Sequence, residues 1–185
     1  EGNQRFANEF HGSDGPLGVS MPLAPLPVAD AFIKAAQQFG IPYNPDFNGA
    51  KQEGVGFYQL TQRDGKRSSA ATAYVNPIRT RKNLTVRTGV MASRIVIENH
   101  RAAGVEIRSS ANGAMEVLRA EREVIITSGA IGSPKLLLQS GIGPADELKA
   151  VGISPVHDLP GVGRNLHDHL DLFVISACSG PHSYD

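Results

Sequence analysis

The segment Glu123–Gly143 (EVIITSGAIGSPKLLLQSGIG) holds the residue types and spacing best suited to chemistry in this 185-residue chain. An apolar stretch, Val124 to Thr127, runs into Ser128-Gly129-Ala130. A helix is expected from Ser133 to Gln139, with Ser133 as its cap, Pro134 at the first helical position and Gly141 as its stop. Small residues at such a turn let a nucleotide, or another backbone, come close to a helix N-terminus. Plain strand-to-helix packing uses the same residues, so the turn alone leaves both readings open.

A second group, His157, Asp158, His167, Asp168, His169 and Asp171, mixes imidazoles and carboxylates that could share a divalent ion in a metal-dependent hydrolase. The spacing is only permissive. His167 and His169 would share a face on a strand but lie about 200 degrees apart on a helix, and two histidines do not complete a site. Ser128 and Ser140 each precede a glycine, yet neither sits in a GxSxG elbow, so capping and close packing account for them. Phe57 and Tyr58, in Gly56 to Gln62, could line a cavity or pack a core. His11 and Ser13 receive no role. Nine basic residues against four acidic ones between positions 79 and 122 could form an anion-binding face, although alternation of solvated and buried residues on strands explains them equally.

The elements that would position these groups are mixed α and β. Residues 1 to 26 are rich in Gly and Pro and are expected to be extended and turn-rich. A helix starts at Pro27, with Val28, Phe32, Ala35, Ala36 and Phe39 on one face and Gly40 as its stop. Val55 to Thr61 reads as a half-buried strand ended by a turn at Asp64-Gly65, and Ser68 to Tyr74 as a serine-capped helix finished near Pro77. Strands are then expected at Leu84 to Thr88, Ala92 to Glu98, Gly104 to Arg108, Met115 to Ala120 and Glu123 to Thr127, with hairpin connections at Asn99 to Ala103 and Ser109 to Gly113. A last short helix spans Pro144 to Val151.

Composition narrows the classes. Eighteen Lys plus Arg balance eighteen Asp plus Glu, which removes the general electrostatic attraction to nucleic acid or anionic lipid. The single cysteine, Cys178, cannot form an internal disulfide, so a reducing, cytoplasmic setting is expected. The apolar run Leu172 to Cys178 is strand-sized, well below the roughly 18 residues of a membrane span. The chain opens Glu-Gly-Asn-Gln-Arg and reads as an internal piece of something longer.

Taken together, Gly129-Ala130, Ser133-Pro134, Leu136-Leu137 and Ser140-Gly141-Ile142-Gly143 resemble the second signature of the glucose-methanol-choline (GMC) oxidoreductases, a family of FAD-dependent alcohol oxidases and dehydrogenases. Asp46-Phe47-Asn48-Gly49, Gly65 to Ala70, Arg81-Lys82-Asn83-Leu84, Gly104-Val105 and Leu159 to His169 (LPGVGRNLHDH) look like further landmarks in family order, nearest in texture to the choline-dehydrogenase-like branch. The resemblance covers essentially the whole chain. It implies part of an FAD-binding Rossmann-like domain joined to part of an antiparallel-sheet substrate domain, with 1–66 on the substrate side, 67–170 on the FAD side and 171–185 returning to the substrate side.

The resemblance also implies where FAD would lie. A main-chain contact to the adenine comes from a position usually held by valine, here Ala92, while Ser128, Gly129 and Ala130 resemble the turn beside the adenosine half. Asn165, Leu166, Asp168 and His169 match a landmark with a structural role at a domain junction. The family's GxGxxG diphosphate turn is absent from this chain, and its catalytic histidine lies in a region beyond LPGVGRNLHDH that this chain does not reach. The parent enzyme is thus expected to move hydride from an alcohol such as choline to flavin N5, with no catalytic residue in this chain. The alternative is a noncatalytic folded module without flavin. Either way, apolar surface left uncovered by missing segments is expected to drive self-association.

Overall fold

The computed structural model describes residues 1–175 and Ala177; the expectations for Cys178 and for most of 176–185 lie outside the described residues. The described chain forms two compact units, one mainly Glu1–Val86 and the other Arg87–Phe173. This division by packing lies beyond the 66/67 boundary expected for the functional domains. The helical turns that follow residue 66 belong to the first unit, where the Gly18 N–H donates to the Ser68 hydroxyl at 2.9 Å.

In the first unit the opening segment is rich in bends and turns, with only short extended stretches, in keeping with its glycines and prolines. Strand β1 (Gly2–Asn3) pairs in parallel with β2 (Gly18–Val19). Close approach makes this possible: a Cβ at Gly15 would lie 2.5 Å from the Glu1 carbonyl oxygen. Helix α1 (Pro27–Gln38) starts with Pro27 in its first turn and is followed by Gly40 at φ +102°.

The apolar face of α1 differs from the expected one. Ile33 is its buried residue, whereas Phe32 and Phe39 are 69% and 87% exposed. Val28, Ala29, Phe32 and Ile33 line a hollow shared with Val55 and Phe57, Phe32 at its open rim. Periodicity makes a stripe, but the covering segment decides which flank of it is buried.

The strand expected at Val55 to Thr61 is reduced to single bridges, Val55 with Tyr43 and Leu60 with Ser20, because no partner runs alongside its full length. It leads to β3 (Gln62–Arg63) and β4 (Lys66–Arg67), joined at Asp64 and Gly65 with φ +51° and +70°. These angles suit a two-residue hairpin turn. The expected Ser68–Tyr74 helix is a π-helical turn, Ala71–Val75, followed by a 3-10 turn, Asn76–Ile78. The Ser69 hydroxyl accepts the Thr72 N–H at 3.2 Å, so the serine cap is real, and Pro77 withholds the donor a longer helix needs.

The second unit is built on three antiparallel strands in the order β5 (Val90–Glu98), β6 (Arg101–Ser109) and β7 (Met115–Arg119). Asn99 and His100, at φ +49° and +62°, make a tight turn between the first two. Leu84–Thr88 and Glu123–Thr127 form no regular element and join no ladder; Ile125 is 74% exposed. Helix α2 (Gly129–Gln139) begins four residues before the expected start at Ser133, so Pro134 lies inside it and withholds the N–H that would bond to the Ala130 carbonyl. Ser133 is correspondingly not an N-cap: its hydroxyl accepts the Ser128 N–H at 3.0 Å.

Strand β8 (Ile142–Gly143), helix α3 (Ala145–Ala150) and β9 (His157–Asp158) follow, with β8 and β9 parallel. Ile95, Ile107, Leu136 and Leu148 form the buried apolar centre of this unit. Among the described residues no helix is long and apolar enough to cross a membrane.

Candidate functional site

Strand β5 lies at the edge of its sheet, and its register determines which main-chain groups face outward. On the far side of β6, Ala120 donates to Ala103 and Ser109 donates to Ala114, so by alternation Val105 and Ile107 direct their main-chain groups toward β7. Glu106 and Arg108 therefore serve β5. Ala92 is opposite Ile107 and Ile95 is opposite Val105, with a bulge at Ser93 between them. The N–H and C=O of both Ala92 and Ile95 consequently point away from β6, to the open edge. A bond from Ser110 N–H to Gly89 C=O fits the same phase.

These two edge positions have different fates. The Ile95 N–H donates to the Ser140 hydroxyl at 2.7 Å, and that hydroxyl donates to the Leu136 carbonyl at 2.6 Å. Both residues are buried. Ser140 thereby stitches the C-terminal turn of α2 to β5. Ala92, three residues away, is exposed.

At the other end of α2, Ser128, Gly129 and Ala130 are also exposed. Gly129 has φ +81°, and the space a Cβ would enter is empty to 4 Å. A cleft of about 950 Å³ runs along α2, lined mostly by apolar groups including Ala130, Ile131, Leu138, Val162 and Leu166. Ala92, Ser128 and Gly129 are not among its lining residues. The structure therefore places all four expected cofactor residues on the surface of one compact unit and joins their two elements through Ser140.

The histidine and acid group is dispersed. His157 and Asp158 form β9, and Asp158 accepts the Ala145 N–H at 3.0 Å, capping the start of α3. His167, Asp168 and His169 are exposed, with Asp168 bonded to the His169 N–H at 2.8 Å. Among the described residues no group of three or more His, Cys, Asp or Glu side chains is arranged to hold a metal ion. Basic residues in and beside the sheet are engaged in ion pairs: Arg87 with Glu116 at 2.8 Å, Arg94 with Glu106 at 3.2 Å and Arg119 with Glu98 at 2.6 Å. Hydrogen bonding from Arg87 holds the Glu116 carboxyl below the usual carboxylate range.

In the first unit His11, left without a role by the sequence, is a tightly constrained titratable group. Its buried ring meets the Glu1 carboxylate through Nδ1 at 2.7 Å and the Asp46 carboxylate through Nε2 at 2.9 Å. Asn3 Nδ2 lies 3.3 Å from Nδ1, and Asn3 and Gln59 exchange side-chain amide bonds of 3.0 and 3.1 Å. The hydrogen bond to Glu1 raises the imidazole above its ordinary value, burial opposes this, and Asp46 adds to the rise. One warning was present in the sequence, a histidine in a Gly-rich loop; the two acids that flank it come from distant positions.

Residues 2–171 match the model of the GMC oxidoreductase family. The chain belongs to this family. It is 45% identical to human mitochondrial choline dehydrogenase over 98% of this chain and 30% of that protein. Among solved structures, pyridoxine 4-oxidase from Mesorbium loti matches with a TM-score of 0.78 at 37% identity, covering 86% of this chain and 31% of that one. An FAD-dependent oxidoreductase from Chaetomium thermophilum matches with a TM-score of 0.82 at 29% identity, covering 88% and 28%. This GMC chain thus spans about a third of the length of the relatives it matches, and its mixed α and β fold is theirs.

Proposed function

We propose that this chain forms the adenosine-side wall of an FAD-dependent alcohol oxidoreductase of the GMC type, acting on an alcohol such as choline. When bound, FAD supplies the acceptor for hydride from the alcohol. Within this chain, Ala92 would offer its main-chain N–H and C=O to the edge of the adenine ring. Ser128, Gly129 and Ala130 would border the adenosine half, where the absent Gly129 side chain leaves room for close approach. On this reading residues 1–66 serve the substrate side, 67–170 the FAD side and 171–185 the return to the substrate side, in a reducing, cytoplasmic setting.

The observation that supports the reading is the phase of β5: the main-chain donor and acceptor of Ala92 face an edge that no other strand pairs with among the described residues, which is what a planar ligand with adjacent donor and acceptor atoms needs. Alanine in place of the usual valine keeps these groups and offers less apolar surface to the ring. The chain on its own is proposed to bind and orient, with proton abstraction performed elsewhere in the parent enzyme.

Titration of FAD into the 15N-labelled chain tests this. The amides of Ala92 and Gly129 are expected to shift together with a common saturation curve, and alcohol is expected to leave any flavin band unbleached. Unmoved amides at both positions refute the adenosine wall, and bleaching by alcohol refutes the location of the base outside the chain.

A further inference from the structure

The two elements proposed to border adenosine do not meet through the residues that would touch it. They meet through one hydroxyl. Ser140 accepts the outward-facing N–H of Ile95 on β5 and donates to the Leu136 carbonyl in the last turn of α2. We propose that Ser140 is the positioning residue that sets the open edge of β5 against α2, and so places the Ala92 main chain for its ligand. The inference rests on the reading of Ala92 as the adenine contact.

Three features single out Ser140. First, β5 is an edge strand, and an unpaired edge drifts or recruits a foreign strand unless something terminates it. Ser140 occupies one outward position, Ile95, and leaves the preceding outward position, Ala92, open. Second, a bulge separates the two, so the direction in which Ala92 faces depends on the local bend and twist between them. Holding Ile95 fixes one side of that bulge and limits where Ala92 can move. Third, the hydroxyl works as donor and acceptor at once: its only proton goes to Leu136 and one of its lone pairs to Ile95, in a buried place. An alanine there leaves the Ile95 N–H without a partner.

The backbone around Ser140 is equally constrained. Its own N–H bonds to the Leu136 and Leu137 carbonyls at 3.1 and 2.9 Å, and Gly141 follows at φ +80°. The hydroxyl is therefore delivered by a rigid helix end rather than by a loop.

Hydrogen exchange and FAD titration of the full chain, compared between wild type, Ser140→Ala and Ser140→Thr, test the proposal. In wild type the Ile95 amide is expected to be among the protected amides of β5. Ser140→Ala is expected to speed its exchange at least tenfold and to weaken FAD binding, read from the Ala92 amide shift, by about tenfold. Ser140→Thr keeps a hydroxyl and is expected to restore both. Unchanged Ile95 exchange in Ser140→Ala overturns the tie. Faster exchange with unchanged FAD affinity overturns the positioning role. If FAD leaves the wild-type Ala92 amide unmoved, the adenine reading itself fails, and the positioning of that ligand falls with it. Rapid Ile95 exchange in the wild type, which needs no variant to fold, also refutes the tie.

Discussion

Raising the pH should loosen the first unit through His11. Its ring is buried between Glu1 and Asp46, with one carboxylate on each nitrogen, and the hydrogen bond to Glu1 leads the forces that raise its pKa above 6.5. Both contacts need an N–H, so the imidazolium is the form the site is built to hold. A group bound more tightly in its protonated form stabilises the fold fully below its unfolded pKa, about 6.5, and loses that contribution as pH climbs through the raised folded value. Within that window stability should fall by up to about 1.4 kcal/mol per pH unit, since the folded state holds one proton more than the unfolded chain. Burial takes back part of what the two acids contribute, which limits the width of the window. Asp46→Asn keeps an acceptor but removes one charge, so it should narrow the window from its upper end, lowering the folded pKa while the onset of loss stays near the unfolded value. Urea unfolding of wild type and Asp46→Asn from pH 5.5 to 9.5, followed by the resonances of the first unit, measures this directly. A 13C or 15N titration of His11 supplies the folded pKa. Wild-type stability that is flat or rises between pH 6.5 and the folded pKa would refute the reasoning, as would a His11 titration midpoint at or below 6.5.

Other outcomes follow from single contacts. Gly141→Ala should cost about 1–3 kcal/mol in the melting of the second unit, because residue 141 sits at φ +80° and a Cβ there would come within 2.6 Å of the Ser154 carbonyl oxygen. Paired Phe32→Ser and Phe39→Ser changes should alter stability by no more than about 0.5 kcal/mol, both rings being mostly exposed, while reducing any self-association seen by light scattering. A large loss of stability would show that the rings are covered in solution. Metal analysis after chelation should leave folding and FAD titration unchanged, given that among the described residues no cluster is built for an ion; stoichiometric retained metal would contradict this.

Features encoded within a few residues are legible in the sequence itself. Pro27 and Gly40 bound α1 and Asp64-Gly65 makes its hairpin, because each depends on the local conformational freedom of its own residues, while the connection expected over Asn99–Ala103 tightens to Asn99-His100 because β6 already starts at Arg101. The signature-like run through Gly143 is legible for another reason: many fixed positions have to match at once. Boundaries are less so. Helix α2 starts at Gly129 rather than at Ser133, since a small-residue stretch accepts either helix or turn and the Ser133 hydroxyl serves the Ser128 N–H instead.

What tertiary structure alone decided is partnership. Leu84–Thr88 and Glu123–Thr127 have strand composition yet join no ladder, and a ladder needs a second strand that composition cannot supply. The buried side of α1 depended on which segment came to cover it. Ser140 reads as an ordinary helix-end serine until Ile95 is brought against it across 45 positions, and His11 as a loop histidine until Asp46 arrives from 35 positions away. Short-range torsional preference is written residue by residue, whereas a buried hydrogen bond exists only once two distant stretches of chain have been desolvated together.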